Sequence, residues 1–182
     1  MRILGIDPGS NATGYGVVER DGHRLVHVAH GTLRPRGATV ALRLHQLHES
    51  LRDVVRHHAP DVAAVERVFV AQSARSALVL GQARGVVLAA LGSLGLGVTE
   101  YAPAEVKQAV TGAGRADKRQ VAIMVRRLLG LDQLPESDAA DALATAIGHA
   151  QAGALRALGA VPRRPRRSAR TGLAALRVRR RP

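Results

Sequence analysis

Four carboxylates sit where an acid needs a chemical reason. Asp7 ends an apolar run, Arg2–Asp7, and Glu66 ends another, Val62–Glu66. Asp138 and Asp141 open a later segment, Ser137-Asp-Ala-Ala-Asp-Ala-Leu-Ala144. An unpaired charge at the end of a buried strand is costly, so something cationic is expected beside it. If the fold gathers the four, they form an oxygen-rich cage suited to Mg²⁺. Two such ions about 4 Å apart are a common apparatus for phosphodiester cleavage. A metal-dependent nuclease is the first reading. Plainer accounts exist for each part. Asp138 and Asp141, three residues apart, share one helix face. Acids also favour the first turn of a helix, and Ser137 is a natural N-cap. Asp7 could cap an ordinary turn.

Other residues join the candidate site. Of 27 basic residues only Lys107 and Lys118 are lysines. Where composition favours Arg so strongly, a surviving Lys points to a need for a compact ammonium, or to chance. Phe69 is the only Phe, and there is no Trp. It lies three residues past Glu66, with Arg67 and Arg75 nearby. There it could stack on an unpaired base, or fold back onto the core. Asp7-Pro-Gly-Ser-Asn-Ala-Thr-Gly-Tyr-Gly16 places glycines just behind a carboxylate. They would permit a turn at positive φ and let a phosphate approach the backbone. Sugar-kinase and actin-like ATPases open similarly, but with two such halves and far more chain. The eight histidines make no ligand pattern. His45, His48, His57 and His58 fall on the polar side of one helix, and His149 reads as structural.

The elements that must position these groups follow from periodicity. Strands are expected at Arg2–Asp7, 15–20 and Arg24–Leu33, with Asp21-Gly22 as the hairpin signal. A helix over 39–58 has apolar residues at helical spacing and is stopped by Pro60. Val62–Glu66 reads as a buried parallel strand. A loop over 67–76 leads to a helix over 76–94, and 98–101 makes a fifth strand. Pro103 opens a short helix. Further helices follow at Lys118–Leu129 and 136–158. The order βββαβαβααα implies an α/β fold, a five-stranded mixed sheet flanked by helices. The first and fourth strands can then be neighbours, bringing Asp7 and Glu66 side by side at the sheet's carboxyl edge. Small residues in Gly81-Gln-Ala-Arg-Gly85 permit close approach of a helix, from a partner subunit or the chain's own fold.

Composition bounds the rest. A chain of 182 residues is expected to form one domain over 1–155. No cysteine means no disulfide and no thiolate metal site. The longest near-apolar stretch, 85–98, is broken by glycines and falls short of the roughly 18 residues a membrane span needs. A cytoplasmic protein with no membrane contact is expected. The net charge is +13, but residues 156–182 carry ten Arg and no acid. Taking these ten from 27 leaves 17 basic against 14 acidic residues, a net +3. The tail lacks apolar periodicity and is expected to be disordered, drawing phosphates non-specifically or serving no role.

The chain resembles the RuvC family of crossover-junction (Holliday junction) endodeoxyribonucleases. The resemblance rests on Gly5-Ile-Asp-Pro-Gly-Ser and Thr-Gly-Tyr-Gly16, on Glu66-Arg-Val-Phe69, and on Leu-Gly-Gln-Ala-Arg-Gly85. It continues in Val106-Lys-Gln-Ala-Val-Thr-Gly112, Ala116-Asp-Lys118 and Asp138-Ala-Ala-Asp-Ala-Leu-Ala144. It covers residues 1–150. It implies an RNase H-like fold, a homodimer, and Mg²⁺-dependent symmetric nicking of four-way DNA junctions, with two ions per subunit and Mn²⁺ as a substitute. It also implies work with the RuvA–RuvB branch-migration complex in recombination and repair. Asp7, Glu66, Asp138 and Asp141 fall on the family's metal-binding carboxylates, Phe69 on its base-stacking aromatic, and Lys107 and Lys118 on its catalytic lysines. Arg67 and Arg75 are expected to contact DNA. The loop departs from the family at Gln72-Ser73, where relatives often carry a basic residue and Asn. The mechanism expected is in-line attack by water, with one ion on Asp7 and Asp141 and the other on Asp7 and Glu66, a division between the ions that the sequence does not fix. Two alternatives remain open. A non-enzymatic junction-binding protein would not need the carboxylates, and a hybrid-cleaving nuclease would not need the Phe69 loop.

Overall fold

A computed structural model describes residues 1–9, 11–67 and 73–157. Phe69, most of its loop and the Arg-rich tail lie outside the described residues. Ten elements follow in the order β1 (Arg2–Asp7), β2 (Thr13–Asp21), β3 (Arg24–Leu33), α1 (Val40–His58), β4 (Val62–Glu66), α2 (Ala74–Ser93), β5 (Gly97–Tyr101), α3 (Pro103–Thr111), α4 (Lys118–Leu129) and α5 (Ser137–Ala157). The strands make one sheet in the order β3-β2-β1-β4-β5. β1 pairs antiparallel with β2, and β2 with β3; β1 and β4, then β4 and β5, pair in parallel. The expected mixed sheet is the one observed, and β1 and β4 are neighbours.

The hairpin turn sits one residue beyond its expected place. Asp21 still pairs with Arg24, so Gly22 and His23 form the two-residue loop. Gly22 has φ +57 while His23 has no positive φ, as a type II′ turn requires. β2 also starts earlier than expected, because Thr13 and Gly14 pair with Leu33 and Thr32.

Strand alternation decides which side chains meet which helices. Ile3, Val18 and Ala64 belong to a core shared with α3, α4 and α5. Leu4, Ile6, Val17, Ala63 and Val65 belong to a second core under α1 and α2. Asp7 continues the parity of Ile3 and Gly5, and Glu66 that of Ala64. Both carboxylates therefore lie on the α5 side.

α5 can reach that side because the sheet beneath it is thinned by glycine. A Cβ on Gly5 would come within 2.0 Å of the Ala142 carbonyl oxygen, and one on Gly14 within 1.9 Å of that of Asp138. One on Gly16 would strike Leu143 at 2.7 Å. The helix answers with Ala139, Ala140, Ala142, Ala144 and Ala146, all buried. This corrects the expected positive φ. Neither Gly9, Gly14 nor Gly16 has one; a Cβ on Gly9 would strike the Ala12 carbonyl at 2.0 Å, and Gly14 and Gly16 are small so that a helix can lie on them.

Helix ends follow local chemistry. Thr39 caps α1 by accepting from Leu42 N–H at 3.2 Å. Asp117 and Gln120 form a reciprocal capping box that fixes the start of α4, placing Lys118 at its first position. Ser137 is not an N-cap but the first residue of α5, and the carbonyl of Glu136 accepts from Ala140 N–H at 2.8 Å. α2 begins at Ala74, earlier than its apolar run suggests. At 20 residues and a mean hydropathy of 1.3 over its apolar window, it is long and apolar enough to cross a membrane, alone among the described residues. Its inner face, Ala83, Val87, Ala90 and Leu91, is buried in the second core.

Candidate active site

Asp7 and Glu66 stand level at the carboxyl ends of adjacent parallel strands, since Ile6 pairs with Val65. A cleft of ≈ 500 Å³ opens over them, lined also by Arg67, Lys107, Lys118 and Asp141. β1 and β4 supply the floor, α5 one wall, and α3 and α4 the basic side.

Burial is the largest influence on both strand-end acids. It pushes the Asp7 carboxyl up from 3.8 to about 6, helped by the charges of Asp141 and Asp138 and opposed by Lys118. Burial likewise pushes Glu66 from 4.5 to about 7, helped by Asp7 and Asp141 and opposed by Lys118 and Lys107. Neither acid has a hydrogen-bond or ion-pair partner among the described residues. Asp141 does: Lys118 Nζ donates to its Oδ2 at 3.1 Å, which raises the Lys118 pKa. Asp138 stands on the same side of α5. Its charge reaches Asp7, but it does not line the cleft.

Hard oxygen donors, two of them half-buried with no ion-pair partner among the described residues, fit a hard divalent cation. The arrangement is a site with an ammonium inside it rather than a closed shell. Among the described residues no three ligating side chains are already drawn together around one point. Carboxylates without a cation between them repel, so these side chains stand near enough to feel one another's charge without closing around one point.

The basic residues separate into those in the cleft and those outside it. Lys107 is half-buried and Lys118 mostly exposed, at 73 % of its side chain. The Arg67 guanidinium donates to Glu105 at 3.0 Å. The same Glu105 oxygen accepts from Ala102 N–H at 2.6 Å, at the start of the helix that carries Lys107. Glu105 thus ties the end of β4 to α3. Sequence spacing did not mark it; its one signal is a Glu two residues after the helix-opening Pro103. Arg75 is exposed in the first turn of α2 and does not line the cleft. His149 pairs with the Tyr101 hydroxyl at 3.0 Å, a structural contact as expected.

The sequence profile described as "Crossover junction endodeoxyribonuclease RuvC" matches residues 3–149. The chain belongs to the RuvC family. It is 50 % identical over 159 residues to RuvC of Geobacter sulfurreducens, covering 87 % of this chain and 97 % of that one. It is 53 % identical over 157 residues to RuvC of Delftia acidovorans, covering 85 % and 86 %. The structure of T. thermophilus RuvC in complex with a Holliday junction substrate superimposes with a TM-score of 0.80 at 35 % identity, covering 88 % of this chain and 97 % of that one. Both RuvC relatives are crossover junction endodeoxyribonucleases. The RNase H-like mixed sheet expected from the resemblance is the fold observed.

Proposed function

We propose that this protein resolves four-way DNA junctions by paired symmetric nicks, acting as a metal-dependent endonuclease in recombination and repair. The observation that carries this reading is the pair of partnerless acids, Asp7 and Glu66, in one cleft with Asp141 and two lysines. Such a site repels DNA unless a cation enters it. Asp7, Glu66 and Asp141, with Asp138 beside them, would hold Mg²⁺, two ions per subunit, with Mn²⁺ able to substitute. Bound there, the metal supplies Lewis-acid polarisation of a phosphate and an acidified water.

The chain's own residues do the rest. Lys107 and Lys118 offset phosphate charge at the cleft's basic side. Lys118 also holds Asp141 in position through their ion pair. Arg67 is tied to Glu105, so its first service is to orient the wall behind Glu66. Phe69, two residues further along the chain, would stack on a base opened at the crossover. A 5′-phosphate and a 3′-hydroxyl are the expected ends.

Two nicks need two sites, and a closed two-fold dimer provides them. The outer face of α2 supports that role: Gly81 and Gly85 are exposed, with nothing within 4 Å of a Cβ at either, and Leu78 is 71 % exposed. That face would meet a second copy rather than lipid, in a cytoplasmic protein. The RuvA–RuvB motor is the expected wider partner.

The test is incubation with a synthetic four-way junction, a plain duplex and an RNA–DNA hybrid, each with Mg²⁺ or EDTA. Paired nicks in the junction alone, requiring Mg²⁺ and lost in Glu66→Gln, are expected. Preference for the hybrid, or cutting in EDTA, would refute the reading.

A further inference from the structure

A second and larger cleft lies at the opposite end of the same elements. Its volume is ≈ 780 Å³, and Arg20, Arg24 and Arg127 line it together with Leu25, Leu128 and Leu129. It opens between the β2–β3 turn, the end of α4 and the middle of α5. Lys118 borders the catalytic cleft and Arg127 this one; nine helical residues separate them by about 14 Å. Along β2 the separation from Gly14, beside Asp7, to Arg20 is about 20 Å. None of the residues described above as catalytic or junction-binding lines this cleft.

We propose that this cleft docks an acidic segment of a partner protein, anchored by an apolar side chain. The rim is cationic. Among the described residues no carboxylate lines the cleft, and Arg20, Arg24 and Arg127 make no ion pair, although Asp21 stands opposite Arg24 in the β2–β3 ladder. Arg20 is braced across the cleft by donating to the Ala150 carbonyl at 3.0 Å, so its charge is held in place rather than free to swing away. The floor is apolar, and Leu128 remains 37 % exposed at its edge. A concave apolar floor inside a basic rim matches a side-chain anchor flanked by acids, the common anatomy of a peptide-binding groove.

Two other occupants fit less well. The chain's own C-terminal segment starts nearby, since Ala150 lines the cleft and α5 runs on to Ala157. Residues 158–182 carry nine Arg and no acid, so the rim repels them. A DNA duplex presents a convex, charged cylinder, to which an apolar floor offers nothing.

Fluorescence anisotropy on the full chain carrying Glu66→Gln tests the proposal, with Mg²⁺ and saturating four-way junction present so that uncut DNA occupies the catalytic cleft and the Arg-rich tail. The probe is a labelled peptide of Glu with interspersed Leu and Phe; an all-Glu peptide is its control. The mixed peptide should bind more tightly than the control. Arg24→Glu with Arg127→Glu, and separately Leu128→Ser, should weaken it about tenfold or more, while junction cleavage by the same variants with Glu66 intact stays at the wild-type rate. The proposal is overturned if the mixed peptide does not bind, if both peptides bind alike, or if the variants bind as wild type does. Loss of junction affinity in the variants with peptide binding intact would show instead a DNA track and equally overturn it.

Discussion

Asp7→Asn should make the folded protein more stable at pH 8 in EDTA, while ending cleavage. Burial and two neighbouring acids hold the Asp7 carboxyl at about 6, against 3.8 when exposed. The folded chain thus binds this proton more tightly than the unfolded chain does. Stability from this group is complete below pH ~4 and is lost as pH rises through about 6. A displacement of that size is worth about 3 kcal/mol once the acid is ionised. Lys118 offsets part of the repulsion already. Asn keeps the shape without the charge, so the variant should gain about 2–3 kcal/mol at pH 8, or about 5–10 °C in Tm for a chain of this size. At pH 4 the two proteins should melt together, because wild-type Asp7 is then neutral. Thermal unfolding by circular dichroism at pH 4, 6 and 8 in EDTA reads both ends of the argument. Added Mg²⁺ should narrow the difference by stabilising wild type alone. Equal Tm values at pH 8, or a gain that persists at pH 4, would refute the claim that Asp7 carries a largely desolvated charge that Lys118 only partly offsets.

Lys118→Arg keeps the charge but trades a point-like ammonium for a planar fork. Its side chain is mostly exposed, so stability should hold within about 1 kcal/mol, while single-turnover cleavage should slow about tenfold or more. Gly14→Ala would drive a methyl into the Asp138 carbonyl; α5 must then lift off the sheet, and a loss of about 2–4 kcal/mol in urea unfolding is expected, within the range of severe packing errors. Truncation after Ala157 removes nine of the ten tail arginines and should leave junction cutting intact while flattening the slope of log K against log salt.

Much of this architecture was legible because local chemistry and tertiary demand agree. The boundaries of β3 and α4 are readable from a turn on one side and from the Asp117 cap and Gly130 on the other. The sites of Asp7 and Glu66 are readable because a carboxylate ending an apolar strand has few structural excuses. The glycines behind Asp7 show where such reading stops. A glycine needed for its backbone angle and one needed for a neighbour's approach look the same in one dimension. Gly14 and Gly16 answer to α5, which starts over 120 residues later. Ser137 illustrates a smaller version of this ambiguity, since a capping residue type can equally start the helix. Glu105 was invisible for a related reason: its partners, Arg67 and the Ala102 amide, meet only once β4 and α3 are set side by side. The far cleft assembles residues from β2, β3, α4 and α5, and no spacing announces it.

The placement of the acids also explains why the site is cheap to build yet poised for metal. Strand parity alone sends Asp7 and Glu66 to one face, and glycine on that face lets α5 descend until Asp141 shares their cleft. Nothing in this packing needs the three charges; apolar or amide residues would fit the same backbone at lower cost. The repulsion is therefore a stability sacrificed locally, and only Asp141 has a built-in counter-ion, in Lys118. An ion pair at an exposed ammonium is weak, so Lys118 can yield Asp141 to a stronger cation and turn to a phosphate without a large barrier. Asp7 and Glu66 have no such partner to give up. The asymmetry makes a definite claim about order: a cation should be drawn first to the Asp7–Glu66 side, where charge is least compensated, and only then should Asp141 leave Lys118. Titrating Mg²⁺ while following the Lys118 Nζ resonance by NMR would show a late change if that order holds. A change at the first additions, in step with Asp7 and Glu66, would contradict it.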